Sequence, residues 1–184
     1  MIEIKNVSVS FGDKNILKDF SLKLEDKGIV LLTGASGVGK TTITRLILGL
    51  LKADRGSVDT KGAKIATVFQ EDRLLPHLSA IENVALVSNR EEAEKILVEL
   101  GLADSLGLLP SSLSGGMKRR VAIARALAFS GDVLLLDEAF NGIDEPLARK
   151  ILADIVAEYS DRLIIAVTHQ KELFDGYEYT EIKL

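Results

Sequence analysis

Gly34-Ala35-Ser36-Gly37-Val38-Gly39-Lys40-Thr41 matches in full the pattern of glycine, four residues, glycine-lysine and serine or threonine. Upstream, Ile29-Val30-Leu31-Leu32 is a short unbroken apolar run, the pattern of a strand buried on both faces, and Gly28 marks its start. Downstream, Thr42 to Leu51 carries Ile43, Leu46, Ile47 and Leu50 at helical spacing. Strand, glycine loop and helix stand in the order that phosphate binding needs. Glycines let backbone N–H groups close on phosphate oxygens, and the helix N-terminus adds a favourable field. The sequence therefore predicts a nucleotide cradle from Gly34 to Thr42, with Lys40 reaching the β- and γ-phosphates and the Thr41 hydroxyl ligating magnesium. A glycine-rich turn that merely contains Gly-Lys-Thr is the alternative, and the flanks disfavour it.

Phosphate loops serve many kinds of enzyme, so other segments must choose among them. Val133-Leu134-Leu135-Leu136-Asp137-Glu138 reads as a second buried strand ending in two carboxylates. Pleat alternation predicts opposite directions for the pair. Asp137 then holds the magnesium through water, and Glu138 aims or deprotonates the attacking water. Both stand at the carboxyl edge, where open α/β sheets bind ligands. His169 follows the apolar strand Leu163 to Val167 near that edge, where an imidazole donates a hydrogen bond to phosphate in either charge state. A structural histidine satisfied by backbone is the competing reading. Ser114-Gly115-Gly116 precedes a helix predicted over Met117 to Ala128, so the hydroxyl and amides form a second helix-terminus anion site. The plainer reading makes Ser114 an N-cap and the glycines a turn. On the first reading, one chain carries two phosphate sites and one phosphate-loop lysine.

In this order the motifs resemble the ATP-binding cassette (ABC) ATPases, over nearly all of the 184 residues. That resemblance implies further assignments. Phe11 stands where the family has an aromatic that stacks on adenine, although it also ends the alternating segment Ile2, Ile4, Val7 and Val9, where turn packing would suffice. Gln70 matches the loop glutamine that contacts magnesium and the attacking water and links the site to a helical subdomain. Leu113 to Met117 matches the signature motif, Asn141-Gly142-Ile143-Asp144 the loop after the catalytic glutamate, and His169 the switch histidine. ATP would lie between the phosphate loop of one copy and Ser114, Gly115 and Gly116 of a second, paired head to tail, with Asp144 crossing the interface. The implied catalytic set is Lys40, Gln70, Glu138 and His169, and the implied magnesium set is Thr41, Gln70 and Asp137.

Phe69 to Val84 resembles the importer subgroup for nitrate, sulfonates, taurine and related small solutes, with His77 where an aromatic is more usual. Met117 replaces the usual signature glutamine, Ala139 the usual proline after Glu138, and the segment between Gln70 and Leu113 is short for the family. The expected function is ATP hydrolysis that powers solute import. The expected partners are a second copy, two membrane permease subunits bound through a groove near Gln70, and a solute-binding protein of the same system. The expected location is cytoplasmic, peripheral on the inner face of the cell membrane. The alternative is a soluble non-transport ABC ATPase acting on nucleic acid or translation; such proteins generally show a long coiled-coil insertion or two cassettes in one chain. A module that no longer hydrolyses ATP is a third reading, and intact Lys40, Asp137, Glu138 and His169 argue against it.

Composition is consistent with these expectations. A net charge of −4 gives no basic footprint for nucleic acid. The absence of cysteine rules out disulfides and thiolate metal sites. The longest uncharged runs are well short of a membrane span, and neither a signal peptide nor a C-terminal regulatory domain is expected. The expected fold is α/β: a P-loop core with a mostly parallel sheet, an antiparallel part over Ile2 to about Leu24, and a short helical subdomain at about 71–116 inside one domain, 1–184. Between them, 53–62 reads as a polar connection and Ser79 to Leu100 as helical, with Asn89 a candidate cap for Glu91 to Leu100 and Gly101 its stop. Asp144 or Glu145, before Pro146, opens a last helix.

Overall fold

The computed structural model describes residues 1–184 and contains two sheets of different kind. β1 (Ile2–Phe11), β2 (Lys14–Leu24) and β4 (Arg55–Asp59) form an antiparallel sheet in the order β2-β1-β4. β3 (Gly28–Thr33), β5 (Ile65–Val68), β6 (Val133–Asp137), β7 (Leu163–Val167) and β8 (Tyr179–Lys183) form a sheet in the order β5-β6-β7-β3-β8, and every pairing in it is parallel. Five α-helices follow the strands: α1 (Lys40–Ile47), α2 (Ala80–Ala85), α3 (Arg90–Glu99), α4 (Gly115–Phe129) and α5 (Glu145–Glu158).

Every residue of β6 and β7 is buried, because each face of the parallel sheet carries its own core. The register aligns Val30, Ile165 and Leu135 in one row and Leu31, Ala166 and Leu136 in the next. The first row packs with α1 and the antiparallel sheet, through Ile43, Leu46, Ile4 and Val9. The second packs with α2 to α5, through Val84, Leu97, Ile123 and Ile155. Uninterrupted apolar runs follow from this arrangement, since neither pleat direction meets water. Leu134 and Leu135 are both 0% exposed, and truncating either to alanine would cost about 2–5 kcal/mol.

Three expectations change. The polar connection at 53–62 contains β4, which pairs antiparallel with β1 through Ile4↔Val58 and Lys5↔Ser57. It shows no alternation because only Val58 is even half-buried in this edge strand. Within the helical stretch 79–100, the helix after the expected Asn89 cap is separate from a first one that already ends at Ala85, leaving Leu86 54% and Val87 39% exposed between them. Finally, α1 ends at Ile47, with Gly49 at φ 67°, so Leu50 leaves the buried stripe and is 59% exposed.

The expected Asn89 cap is made, and a second cap accompanies it. Ser79 and Glu82 form a reciprocal capping box at α2, and Asn89 Oδ1 accepts the Glu92 N–H at 2.9 Å at the start of α3. No helix is long and apolar enough to cross a membrane.

Candidate functional site

The parallel strands all end at one edge, so the loops after β3, β5, β6 and β7 converge there. A cleft of about 420 Å³ lies between them. From the phosphate loop it is lined by Ser36, Gly37, Gly39, Lys40, Thr41 and Thr42. Gly39 is the N-cap of α1 at φ 114°, a left-handed conformation that frees the chain to turn from loop into helix. The first turn of α1 holds no acidic side chain, so its unpaired N–H groups favour an anion. Lys40 is 7% exposed, and its ammonium donates to the carbonyls of Gly34 at 2.7 Å and Ala35 at 2.9 Å. Two of its three donors thus fix the lysine across its own loop, and the charge faces the cleft. Gly34 lies outside the lining, against the Leu184 carbonyl, with Val38 beside it.

Asp137, Glu138, Gln70 and His169 line the same cleft. Asp137 shares a register row with Val167 and Leu32, whose side chains pack on the α1 side, so its carboxylate points towards Lys40 and Thr41. Burial, and next the Glu138 carboxylate, raise the Asp137 pKa, while Arg45, Lys40 and Arg119 oppose that rise. Glu138 does not continue the strand in the alternate pleat direction. β6 ends at Asp137, and Glu138 takes a left-handed φ of 50° while its N–H donates to the Val167 carbonyl at 2.9 Å. A turn of the backbone, not pleat alternation, separates the two carboxylates. His169 Nε2 lies 3.4 Å from Glu138 Oε1, and the histidine is 58% exposed where the glutamate is 9%. Thr168 shapes this corner, since its hydroxyl accepts the Gln170 N–H at 2.9 Å.

No group of three or more His, Cys, Asp or Glu side chains forms a metal cage. The Asp137 carboxylate, Thr41 hydroxyl and Gln70 amide are oxygen donors around one cleft. One carboxylate with neutral oxygens and substrate phosphates is the donor set suited to magnesium, so these residues fit the ion.

Phe11, at the end of β1 and 51% exposed, also lines the cleft, together with Lys14 and Ile16. The sequence did not single out Lys14 or Ile16, yet the β1–β2 turn pairs Phe11 with Lys14 and brings them there. Within one chain, Ser114, Gly115, Gly116 and Asp144 do not line the cleft. Ser114 caps α4, accepting the Met117 N–H at 3.3 Å, and keeps its own O–H free to donate. Asp144 caps α5, accepting the Leu147 N–H at 3.1 Å. The two caps are neighbours, since a Cβ placed on Gly116 would stand 2.8 Å from the Gly142 carbonyl oxygen.

Sequence reasoning also missed two arginines of α4. Arg119 donates to the carbonyls of Phe69 and Gln70, and Arg125 to those of Arg73 at 2.9 Å and Asp72 at 3.1 Å. An arginine at an inward helix position was the available signal, because such a residue must find acceptors.

Residues 17–141 match the ABC transporter family. The aliphatic sulfonates import ATP-binding protein SsuB 1 of Pseudomonas savastanoi pv. phaseolicola is 39% identical over 167 residues, covering 87% of this chain and 70% of that protein. The glutamine transport ATP-binding protein GlnQ of Escherichia coli is 36% identical over 197 residues, covering 92% and 81%. Among solved structures, the dimeric post-hydrolysis state of the ATP-binding cassette MJ0796 bound to ADP and Pi superposes with a TM-score of 0.85 at 28% identity, covering 99% of this chain and 96% of that one.

Proposed function

The chain belongs to the ABC transporter family, and on that premise we propose that it is the ATP-hydrolysing subunit of a solute importer, acting as a head-to-tail pair on a separate membrane permease. One observation carries this reading: Lys40, Asp137, Glu138 and His169 share a cleft from which Ser114 of the same chain is excluded. The signature anion site then serves the ATP of a second copy. ATP is held by the cradle N–H groups and Lys40, with its base against Phe11. Thr41, Asp137 and Gln70 would hold magnesium, which would supply charge neutralisation on the phosphate oxygens. Glu138 orients the attacking water and accepts its proton as the γ-phosphoryl passes to that water, giving ADP and phosphate. His169 donates a hydrogen bond to the γ-phosphate, and its proximity to Glu138 keeps both side chains on the reacting group.

Leu48, Leu50, Phe69, Val87 and Phe129 line an open groove of about 250 Å³ next to the Gln70 loop. Leu50 is 59% and Phe129 42% exposed, so their apolar surface fits an amphipathic cytoplasmic segment of the permease. Docking there would hold the chain on the inner face of the cell membrane, with 71–116 acting as the helical subdomain that meets the partner. The names of the sulfonate-import relatives favour a sulfonate or similar small oxyanion as solute, delivered by a solute-binding protein. Nothing in the charge of −4 favours the nucleic-acid alternative.

Sedimentation of Glu138→Gln with ATP and magnesium tests the pair. The expected result is a dimer that a second change, Ser114→Arg, abolishes. A monomer at every protein concentration, despite bound ATP, would overturn the composite site.

A further inference from the structure

We propose that Arg119 is a positioning residue: it holds the backbone of Gln70 rigidly to α4, so that the signature end of that helix and the glutamine in the cleft move as one body.

Residues 69–74 follow β5 without helix or strand, and no loop backbone-to-backbone hydrogen bond starts or ends among them. Their carbonyls must find other donors. Arg119 is 7% exposed on α4; Nη1 donates to the Phe69 carbonyl at 2.7 Å and Nη2 to that of Gln70. Arg125 takes the carbonyls of Asp72 and Arg73. Nearly the whole turn of chain that carries Gln70 therefore hangs from one helix. The third partner of Arg119 separates positioning from simple ion pairing. Nε lies 3.3 Å from Asp72 Oδ1, yet neither atom completes an aligned hydrogen bond. The planar fork is aimed at two consecutive carbonyls, and Asp72 contributes charge, which offsets the cost of burying the guanidinium.

Ser114, Gly115 and Gly116 stand at the N-terminus of the same helix, with Arg119 on its second turn. Whatever shifts α4 by its N-terminus shifts the Gln70 carbonyl with it. ATP of a second copy, bound at Ser114, is thereby felt in this chain's own cleft. Both terminal nitrogens of Arg119 are used on two different carbonyls in this geometry, so lysine, a point donor, cannot replace the fork. The inference rests on the reading of Gln70 as a contact to the metal and attacking water.

The test is steady-state hydrolysis by the purified chain, with Arg119→Lys, Gln70→Ala and the double variant, and melting temperatures for each. Arg119→Lys is expected to lower kcat by about 10- to 100-fold, the scale of a displaced positioning group, with the KM for ATP nearly unchanged because the Lys40 cradle is untouched. The double variant is expected to be no slower than Gln70→Ala alone. A merely structural role would multiply the two losses, and that result, or a wild-type kcat for Arg119→Lys, overturns the proposal. If Gln70→Ala itself turns over at the wild-type rate, the assignment of Gln70 fails and the inference falls with it. Should Arg119→Lys not fold, Arg119→Gln, which carries no buried charge and cannot span both carbonyls, is judged by the same criteria.

Discussion

Gly115 and Gly116 are adjacent in the first turn of α4, and alanine should affect them oppositely. Neither has a positive φ, so alanine is sterically allowed by the backbone at both and removes unfolded-state freedom worth up to about 1 kcal/mol. A methyl on Gly115 meets nothing within 4 Å. On Gly116 it stands 2.8 Å from the Gly142 carbonyl oxygen, backbone of the loop that leads to Asp144. Ordinary contact begins near 3.4 Å, so that loop must retreat by about half an ångström or more. Forced insertion of this kind costs about 1–3 kcal/mol. Gly115→Ala should therefore melt at or above the wild type, and Gly116→Ala below Gly115→Ala by about 1–3 kcal/mol. For a chain of this size each kcal/mol is about 2–4 °C. Calorimetric unfolding without nucleotide reads the difference. If Ser114 to Gly116 bind the ATP of a second copy as proposed, a methyl at either glycine stands beside that anion site, so both variants should lose ATP-dependent pairing and the more stable one should gain nothing in function. If Gly116→Ala melts as high as Gly115→Ala, the close approach to Gly142 is not a constraint and the coupling of the two caps is wrong.

Three further outcomes are expected. Burial, then Glu138, raises Asp137, so the native state binds that proton more tightly than the unfolded chain, and stability falls as pH rises from the ordinary carboxylate value through the raised one. Asp137→Asn should thus melt above the wild type at pH 7 without nucleotide, with the gap closing below about pH 4, and should lose magnesium-dependent hydrolysis; an Asn variant that melts lower at pH 7 would contradict this. Asp144→Ala loses the α5 cap and should cost about 0.5–2 kcal/mol in chemical denaturation, whereas Asp144→Asn should keep the cap and most of the stability. Phe11→Ala, at an exposed position, should change stability by less than about 0.5 kcal/mol and raise the KM for ATP about 2- to 10-fold through the lost stacking surface; an unchanged KM would return Phe11 to turn packing.

Legibility in the sequence followed burial. β3, β6 and β7 were evident because both faces of each are covered, which leaves no polar interruption. The cradle was evident because its glycines and lysine have no common structural substitute. β4 was not, since Arg55-Gly56-Ser57-Val58-Asp59 is an exposed edge that obeys no hydrophobic period. The Asn89 cap marked the start of α3, but the end of α2 was hidden by Leu86 and Val87, which continue the apolar pattern and yet stand exposed. Arg119 and Arg125 were missed because the backbone carbonyls that claim them lie far away in sequence. The turn at Glu138 was invisible because pleat alternation assumes that the strand continues.

That turn places a bulky, acidic residue where the backbone alone would choose glycine. A left-handed φ at a non-glycine position costs of order 1 kcal/mol, and Glu138 also loses most of its hydration at 8% exposure. A sequence optimised only for the stability of this backbone would discard Glu138 among the first, in favour of glycine or asparagine. Thermostabilised variants selected by melting temperature alone are therefore expected to drift towards nucleotide binders without turnover, and any such selection on this scaffold needs phosphate release as its second criterion.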